Sequence, residues 1–401
     1  MVSRRTFISA GAIGAGAMLA AAATPAHAAA PAFERGDGQS IAASGQRQNG
    51  HRAEQAWQAL ETYLIARDGT DLLYDECPTQ PSDPAHTYEW PHSQAHVAAL
   101  DMFTMRPSAI AFQRLQRMST GQEHYWATTS TTGLPGYASG PMPPFGDGGD
   151  LFYDDNEWVA LEKIQHRLVF GDESSLAHAE QIFALIQSAW STDASLPSPG
   201  GLYWMQSPTS GRNTCANMPA AAAAARLYTL TRKQEYLDWA KKIYAWTAQT
   251  LKDSDGLYFD NIAADGTIEQ TKWSYNQGMP IAAGVALYQA TRDRRYLQDA
   301  ITTAQASYKH YVTLGELANQ PIYFNSIYFK STLLLSSVTG DTRYYAAMSD
   351  YADDLWAHNR DVQTGLLWHD KQGETQALEQ GAAIQIFAVV GWSPSRWSVL
   401  Y

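Results

Sequence analysis

Ala225-Arg226-Leu227-Tyr228-Thr229-Leu230-Thr231, followed by Tyr236-Leu237 and Ala240, returns as Ala286-Leu287-Tyr288-Gln289-Ala290-Thr291, followed by Tyr296-Leu297 and Ala300 at the same spacing. Val338-Thr339-Gly340-Asp341 before Tyr344-Tyr345 repeats the idea, and Val169-Phe170-Gly171-Asp172 before Leu176 and Ala179 is a weaker copy. Each copy reads as helix, tight turn, helix, the turn falling near Thr or Gly-Asp. A recurring helix pair cannot bury its apolar face alone, so it implies a stacked or closed array of such pairs. Between the pairs, Gly201-Leu202-Tyr203-Trp204, Gly256-Leu257-Tyr258-Phe259-Asp260 and Gly365-Leu366-Leu367-Trp368-His369 each supply a glycine turn and a short extended piece.

Apolar spacing of three and four predicts helices near Arg52 to Ala66, His92 to Met105, Ser108 to Met118, Asp155 to Phe170, Ser175 to Trp190 and Pro219 to Leu230. The pattern continues with Glu235 to Leu251, Tyr275 to Ala290, Arg295 to Val312, Ile322 to Val338, Thr342 to Asn359 and Thr375 to Val390. Strand-like alternation is scarce and βαβ spacing is absent. The reading is therefore all-α, six helix pairs closing into an (α/α)6 toroid over residues 51–401, with an open solenoid as the alternative. Loops at one end would form the site. The Gly/Pro-rich stretch from Thr132 to Gly149 is too irregular for a helix, and long irregular segments within compact domains are often functional.

At the amino end, Arg4-Arg5-Thr6-Phe7-Ile8, a small-residue apolar run from Ser9 to Ala23, and Ala26-His27-Ala28 read as a twin-arginine export signal over residues 1–28. An ordinary secretory signal carrying two arginines is the alternative. Residues 29–50 read as a flexible lead-in, and the mature chain is expected outside the cytoplasm, without a membrane span. Cys77 and Cys215 could form at most one bridge. The chain carries 28 Lys and Arg against 40 Asp and Glu, a net charge of −12. Phosphate neutralisation needs clustered positive charge, so nucleic acid and anionic membrane are excluded as partners. Thirteen Trp and 22 Tyr are a heavy aromatic load for a helical protein, and flat rings suit the apolar faces of sugars.

Tyr153-Asp154-Asp155-Asn156-Glu157-Trp158 places two consecutive carboxylates where the long loop becomes a helix. Glycosidic cleavage needs one carboxylate ionised, to attack the anomeric carbon or position water, and a second that holds a proton for the leaving oxygen. The same dipeptide also serves as an N-cap with a first-turn acid, and by itself it reads more readily as a helix start than as a catalytic pair. Among competing uses, a magnesium-diphosphate site of terpene-cyclase type would want a third acid on the same face. Asp147, Asp150 and Asp154 lack a recognisable calcium loop. His92 and His96 have a zinc-compatible spacing but no third ligand. No metal and no cofactor is expected.

These motifs resemble glycoside hydrolase family 76, the endo-α-1,6-mannanases and their fungal cell-wall relatives. The residues that carry the resemblance are Tyr153-Asp154-Asp155 with Trp158, Gly200-Gly201-Leu202-Tyr203-Trp204, Asn217 in Ala216-Asn217-Met218-Pro219-Ala220, Gly256-Leu257-Tyr258-Phe259-Asp260 and Trp273-Ser274-Tyr275-Asn276-Gln277-Gly278. The resemblance implies an (α/α)6 barrel and retention of anomeric configuration, with Asp154 as nucleophile and Asp155 as acid/base. It also implies that Tyr153, Trp158, Asn217, Asp260, Trp273, Tyr275, Asn276 and Gln277 border the substrate, an α-mannan polysaccharide or oligosaccharide. Trp90 and Trp204 are candidates for stacking on sugar rings. Two departures bear on substrate preference: Val159 stands where the family often has a second tryptophan, and Met218 where it usually has glycine. A monomer is expected. A mannan transglycosylase of the same fold, or a mannan-binding surface protein without turnover, is the alternative function.

Overall fold

The computed structural model describes residues 38–401 apart from 208, 209 and 370, so the expected export signal lies outside the described residues. Twelve α-helices are found among them: α1 (Gly38–Tyr63), α2 (Glu89–Met105), α3 (Ala109–Gln122), α4 (Tyr153–Phe170), α5 (Glu173–Ser188), α6 (Thr214–Thr231), α7 (Gln234–Leu251), α8 (Tyr275–Thr291), α9 (Arg294–Ser307), α10 (Ile322–Thr339), α11 (Arg343–His358) and α12 (Ala377–Val390). The even-numbered helices form an inner ring, each packing on the next, and α12 returns to pack on α2. That closure makes the array an (α/α)6 toroid and removes the open solenoid. One expectation is corrected: residues 38–50, read as a flexible lead-in, are helical and belong to α1. Glycine and polar residues dominate that stretch, which hid its helical phase.

Composition divides the two rings. The inner helices are buried almost all round, and the small-residue runs Ala220–Ala225 in α6 and Ala282-Ala283-Gly284 in α8 let their backbones approach closely. Tight turns separate each inner helix from the outer one that follows. Gly171 and Gly340 take the left-handed conformation there (φ 73° and 74°), where a side chain would be strained. Arg232 and Arg292 hold the same conformation at equivalent turns without glycine's freedom.

The inner ring contains a buried ion pair. Asp101 and Lys330, both fully buried, lie 3.1 Å apart. Gln165 donates to Asp101 at 2.7 Å and Lys330 donates to Gln385 at 3.0 Å, so both charges are hydrogen-bonded as well as paired. The carboxyl-terminal segment closes over this group. Trp392 donates to the Asp101 carbonyl at 2.9 Å, and Tyr401 places its ring 4.1 Å from the Lys330 ammonium and 6.4 Å from Trp158. Among the described residues no helix is long and apolar enough to cross a membrane.

Among the described residues, five of the six seams of the outer ring are bridged by side chains. Arg114 joins α3 to Glu54 and Glu61 of α1, and Arg52 joins α1 to Asp353 of α11. Glu180 of α5 meets Lys233 and Tyr236 at α7, and Tyr244 of α7 meets Asp299 of α9. Tyr308, immediately after α9, packs edge-on against Tyr344 of α11.

Candidate active site

All six inner helices begin at the same end of the toroid, where the loops from the outer helices arrive. A side-chain amide near the start of an inner helix fastens several of these loops. Asn156 accepts from the Tyr137 amide at 2.8 Å and donates to the Tyr137 and Phe152 carbonyls at 3.0 and 2.8 Å. Asn217 repeats this with Leu202 (2.8 and 3.1 Å) and Asn213 (2.8 Å), and Gln277 with Tyr258 (2.7 and 3.0 Å) and Trp273 (3.0 Å). Gln380 accepts from Leu367 at 2.9 Å and donates to Ala56 at 2.7 Å. An amide is a donor and an acceptor in one plane, which matches the two groups of a peptide unit. Buried peptide groups must be paired, so each amide converts a loose loop into part of the core.

The acidic pair sits on this platform. Phe152 is the extended residue before α4, and the Tyr153 amide donates to the Trp204 carbonyl at 2.9 Å, tying the helix start to the Gly201–Trp204 loop. Trp204 returns over the site and donates its indole N–H to Asp154 Oδ2 at 2.9 Å. Cys215 at the start of α6 places its thiol 3.8 Å from the same oxygen. Asp155 is 1% exposed, whereas Asp154 is half-buried. Beneath them Glu157 is fully buried. Its carboxyl is pushed well above its usual range, by desolvation first and then by the charges of Asp154 and Asp155.

Next to the pair, Asn276 donates to Asp260 Oδ1 at 2.9 Å and Asn261 donates to Oδ2 at 2.8 Å. Burial nevertheless raises the Asp260 carboxyl. Desolvation also pushes the Cys215 thiol and the Tyr275 phenol well up, with neighbouring acids contributing to both. Across the mouth, an aromatic wall gathers from three helices. Phe324 stacks on Tyr275 with ring centres 3.8 Å apart, lies 5.4 Å from Trp273, and meets Tyr323 edge-on at 4.9 Å, while Trp90 meets Tyr323 at 5.4 Å.

The structure brings together Asp154, Asp155, Trp204, Asp260, Tyr275 and Asn276 around the helix starts, with Trp90 and Trp273 in the aromatic wall. Four of the expected substrate contacts are elsewhere. Trp158 is 1% exposed and packs toward Tyr401, so it is core beneath the pair. The Tyr153 ring points to α5, its hydroxyl 3.4 Å from Ser188. Asn217 and Gln277 spend their amides on loop backbone and are fully buried. The motif reading missed Cys215, Glu157, Tyr323 and Phe324. Only Glu157 carried a signal, its place in the acidic run. His92 and His96 both turn to α3 and its end, His92 to the Met118 carbonyl at 2.9 Å and His96 to Gln122. Burial lowers them to about 3 and about 4. Asp147 and Asp150 are exposed, and Cys77 and Cys215 are unpaired. Among the described residues no group of three His, Cys, Asp or Glu side chains is arranged to hold a metal ion.

The family model for glycosyl hydrolase family 76 matches residues 74–385, and the chain belongs to that family. It is 32% identical over 123 residues to the mannan endo-1,6-alpha-mannosidase DCW1 of Saccharomyces cerevisiae, a match covering 28% of this chain and 27% of that protein. The DCW1 protein of Candida albicans is 27% identical over 164 residues, covering 36% of this chain and 35% of that protein. The chain thus spans about a quarter to a third of these curated relatives. Among solved structures, a family 76 glycoside hydrolase (mannosidase) from Bacteroides thetaiotaomicron superposes with a TM-score of 0.75 at 23% identity, covering 86% of this chain and 98% of that one. An inactive α-1,6-mannanase variant from Salegentibacter, with two successive aspartates changed to alanine and α-1,6-mannotetrose bound, gives 0.69 at 21% identity over 86% and 98% of the two chains.

Proposed function

We propose that this family 76 glycoside hydrolase cuts α-1,6-linked mannan within the chain and retains anomeric configuration, with Asp154 as nucleophile and Asp155 as acid/base. The observation that carries the reading is the different setting of two adjacent carboxyls. Asp154 Oδ2 receives the Trp204 N–H, and a donor of that kind favours a carboxylate anion. The surrounding helix N-termini favour negative charge as well. Asp155 is nearly out of solvent, whereas Asp154 is half-buried beneath the Trp204 indole. In the first step Asp154 bonds to the anomeric carbon while Asp155 gives its proton to the departing glycosidic oxygen. In the second, Asp155 takes a proton from water as that water displaces Asp154. The substrate assignment is supported by the mannan endo-1,6-alpha-mannosidase relatives in fungi and by the mannotetrose bound to the structural neighbour. Arg4 and Arg5 with the apolar run after them support twin-arginine export.

The test separates the two roles. On an aryl α-mannoside with a good leaving group, Asp155→Ala keeps glycosylation activity, and added azide raises its turnover and yields the α-azide. Asp154→Ala with azide yields the inverted β-azide or nothing. The opposite pairing of products would exchange the roles, and inverted product from the unmodified enzyme would remove the retaining mechanism.

A further inference from the structure

The sixth seam of the outer ring, between α3 and α5, is different. Among the described residues no hydrogen bond, ion pair or ring contact joins α3 to α5. Between them lies a cavity of about 490 Å3 whose floor is the outward face of α4. The acidic pair does not line it: Lys163 lies eight residues beyond Asp155, about 12 Å further along the helix axis. Its size falls within the range of about 300–1,000 Å3 usual for small-molecule clefts.

The floor is built from charge. Lys163 lines the cavity with its side chain only 9% exposed, and among the described residues its ion-pair partner is Glu162 Oε2 at 3.2 Å. An ammonium has three donors, so hydrogen-bonding capacity remains for an occupant. His166 and His178 flank it. His166 Nδ1 is already engaged by the Ser175 hydroxyl at 2.9 Å, and His178 stands 3.5 Å from the Tyr137 hydroxyl. Burial lowers both imidazoles, so near neutral pH they are uncharged and can donate or accept. The rim adds rings: Phe112, 41% exposed, lies 6.2 Å from Phe170, which lies 4.4 Å from His166. With Glu162 balancing Lys163, the remaining charges at the cavity are Glu123 and Asp172, both acidic. An anionic occupant would face them uncompensated. A ring of hydroxyls with apolar faces suits a cleft that offers an ammonium, neutral imidazoles, a carboxylate and exposed aromatic edges.

We propose that the cleft between α3 and α5 is a second saccharide-binding site, which holds one or two neutral hexose units of the polymer outside the catalytic cleft. That the hexose is mannose rests on the function proposed above. A chain held there would raise the local concentration of polymer at the enzyme without taking part in the cleavage.

The test uses the full chain with cleavage silenced by Asp154→Asn and Asp155→Asn, titrated calorimetrically with α-1,6-mannotriose, with and without Gln116→Trp. Gln116 is an exposed residue lining the cavity, and an indole there would fill the mouth without disturbing the core. The expected stoichiometry is two for the silenced chain and one after Gln116→Trp. A fall from one to zero would keep the outer site while removing the reading of the catalytic cleft. A stoichiometry that Gln116→Trp leaves unchanged would overturn the outer site. In the otherwise unmodified enzyme, Gln116→Trp should raise KM for polymeric mannan several-fold while leaving kcat, and turnover of an aryl α-mannoside, unchanged. An unaltered polymer KM would likewise count against the site.

Discussion

The starts of α4 and α6 are built to one plan and carry different chemistry. In each, an asparagine, Asn156 or Asn217, clamps both peptide groups of an incoming loop residue and the carbonyl four residues before itself. Aligned on that asparagine, Asp154 corresponds to Cys215, Asp155 to Ala216 and the buried Glu157 to Met218. The scaffold repeats and the acids do not. Fold and reaction are therefore written in different residues of one short segment, and substitutions should separate them.

The largest effect is expected where the two helices differ most. Asp154→Ala and Asp155→Ala should each lower kcat/KM on mannan by on the order of 10^3-fold or more, with thermal midpoints close to that of the unmodified chain. Near-normal turnover by either would return the acids to ordinary helix-start residues.

Next come the positions the helices share. Asn156→Ala and Asn217→Ala each remove three hydrogen bonds and strand buried peptide groups, so each should cost about 2–4 kcal/mol in urea unfolding. The two costs should be similar. Asn217→Ala should also lower activity, because the freed Leu202 is two residues from Trp204. A large cost at one position and none at the other would break the equivalence.

Glu157 sharpens the comparison through pH. Its folded-state pKa is raised, by burial first and then by the two aspartates. Above about pH 4.5 the unfolded chain therefore gives up this proton before the folded one does, and stability falls as pH rises toward the folded value. Glu157→Gln and Glu157→Met, the latter copying α6, should match the parent below pH 4 and gain on it progressively above pH 5. Equal pH dependence in parent and variants would mean that Glu157 has found a charge partner. The smallest effect is expected at Cys215, where Cys215→Ala removes weak thiol contacts to Asp154 and to the Tyr275 phenol. A fall in kcat of less than about tenfold is expected there, with Trp204→Phe, which removes the indole donor, falling further.

The barrel could be read from Tyr228, Tyr236, Tyr288 and Tyr296 because helix pairing is a local, periodic property. The place of the acid pair at the start of α4 could be read because the irregular Thr132 to Gly149 stretch ends just before it. The wall of the cleft was less legible. Asn217 and Gln277 read as sugar contacts because an amide offers a peptide group the same donor and acceptor that it offers a hydroxyl pair. Trp158 and Tyr153 belong to a helix buried almost all round, where periodicity cannot say which neighbour a ring faces. Tyr323 and Phe324 sit in no motif and reach the mouth only because α10 begins beside α8. The cavity between α3 and α5 arises from a missing contact, which no single segment encodes.

The amide clamps also have a kinetic consequence. The N–H groups of Tyr137, Leu202, Tyr258 and Leu367 lie in short extended pieces between helices, yet each is held by an inner-ring side chain. Their protons should exchange with solvent on the slow timescale of the barrel's own opening, not on that of loops. The loops that border the acid pair are thus fastened before any substrate arrives.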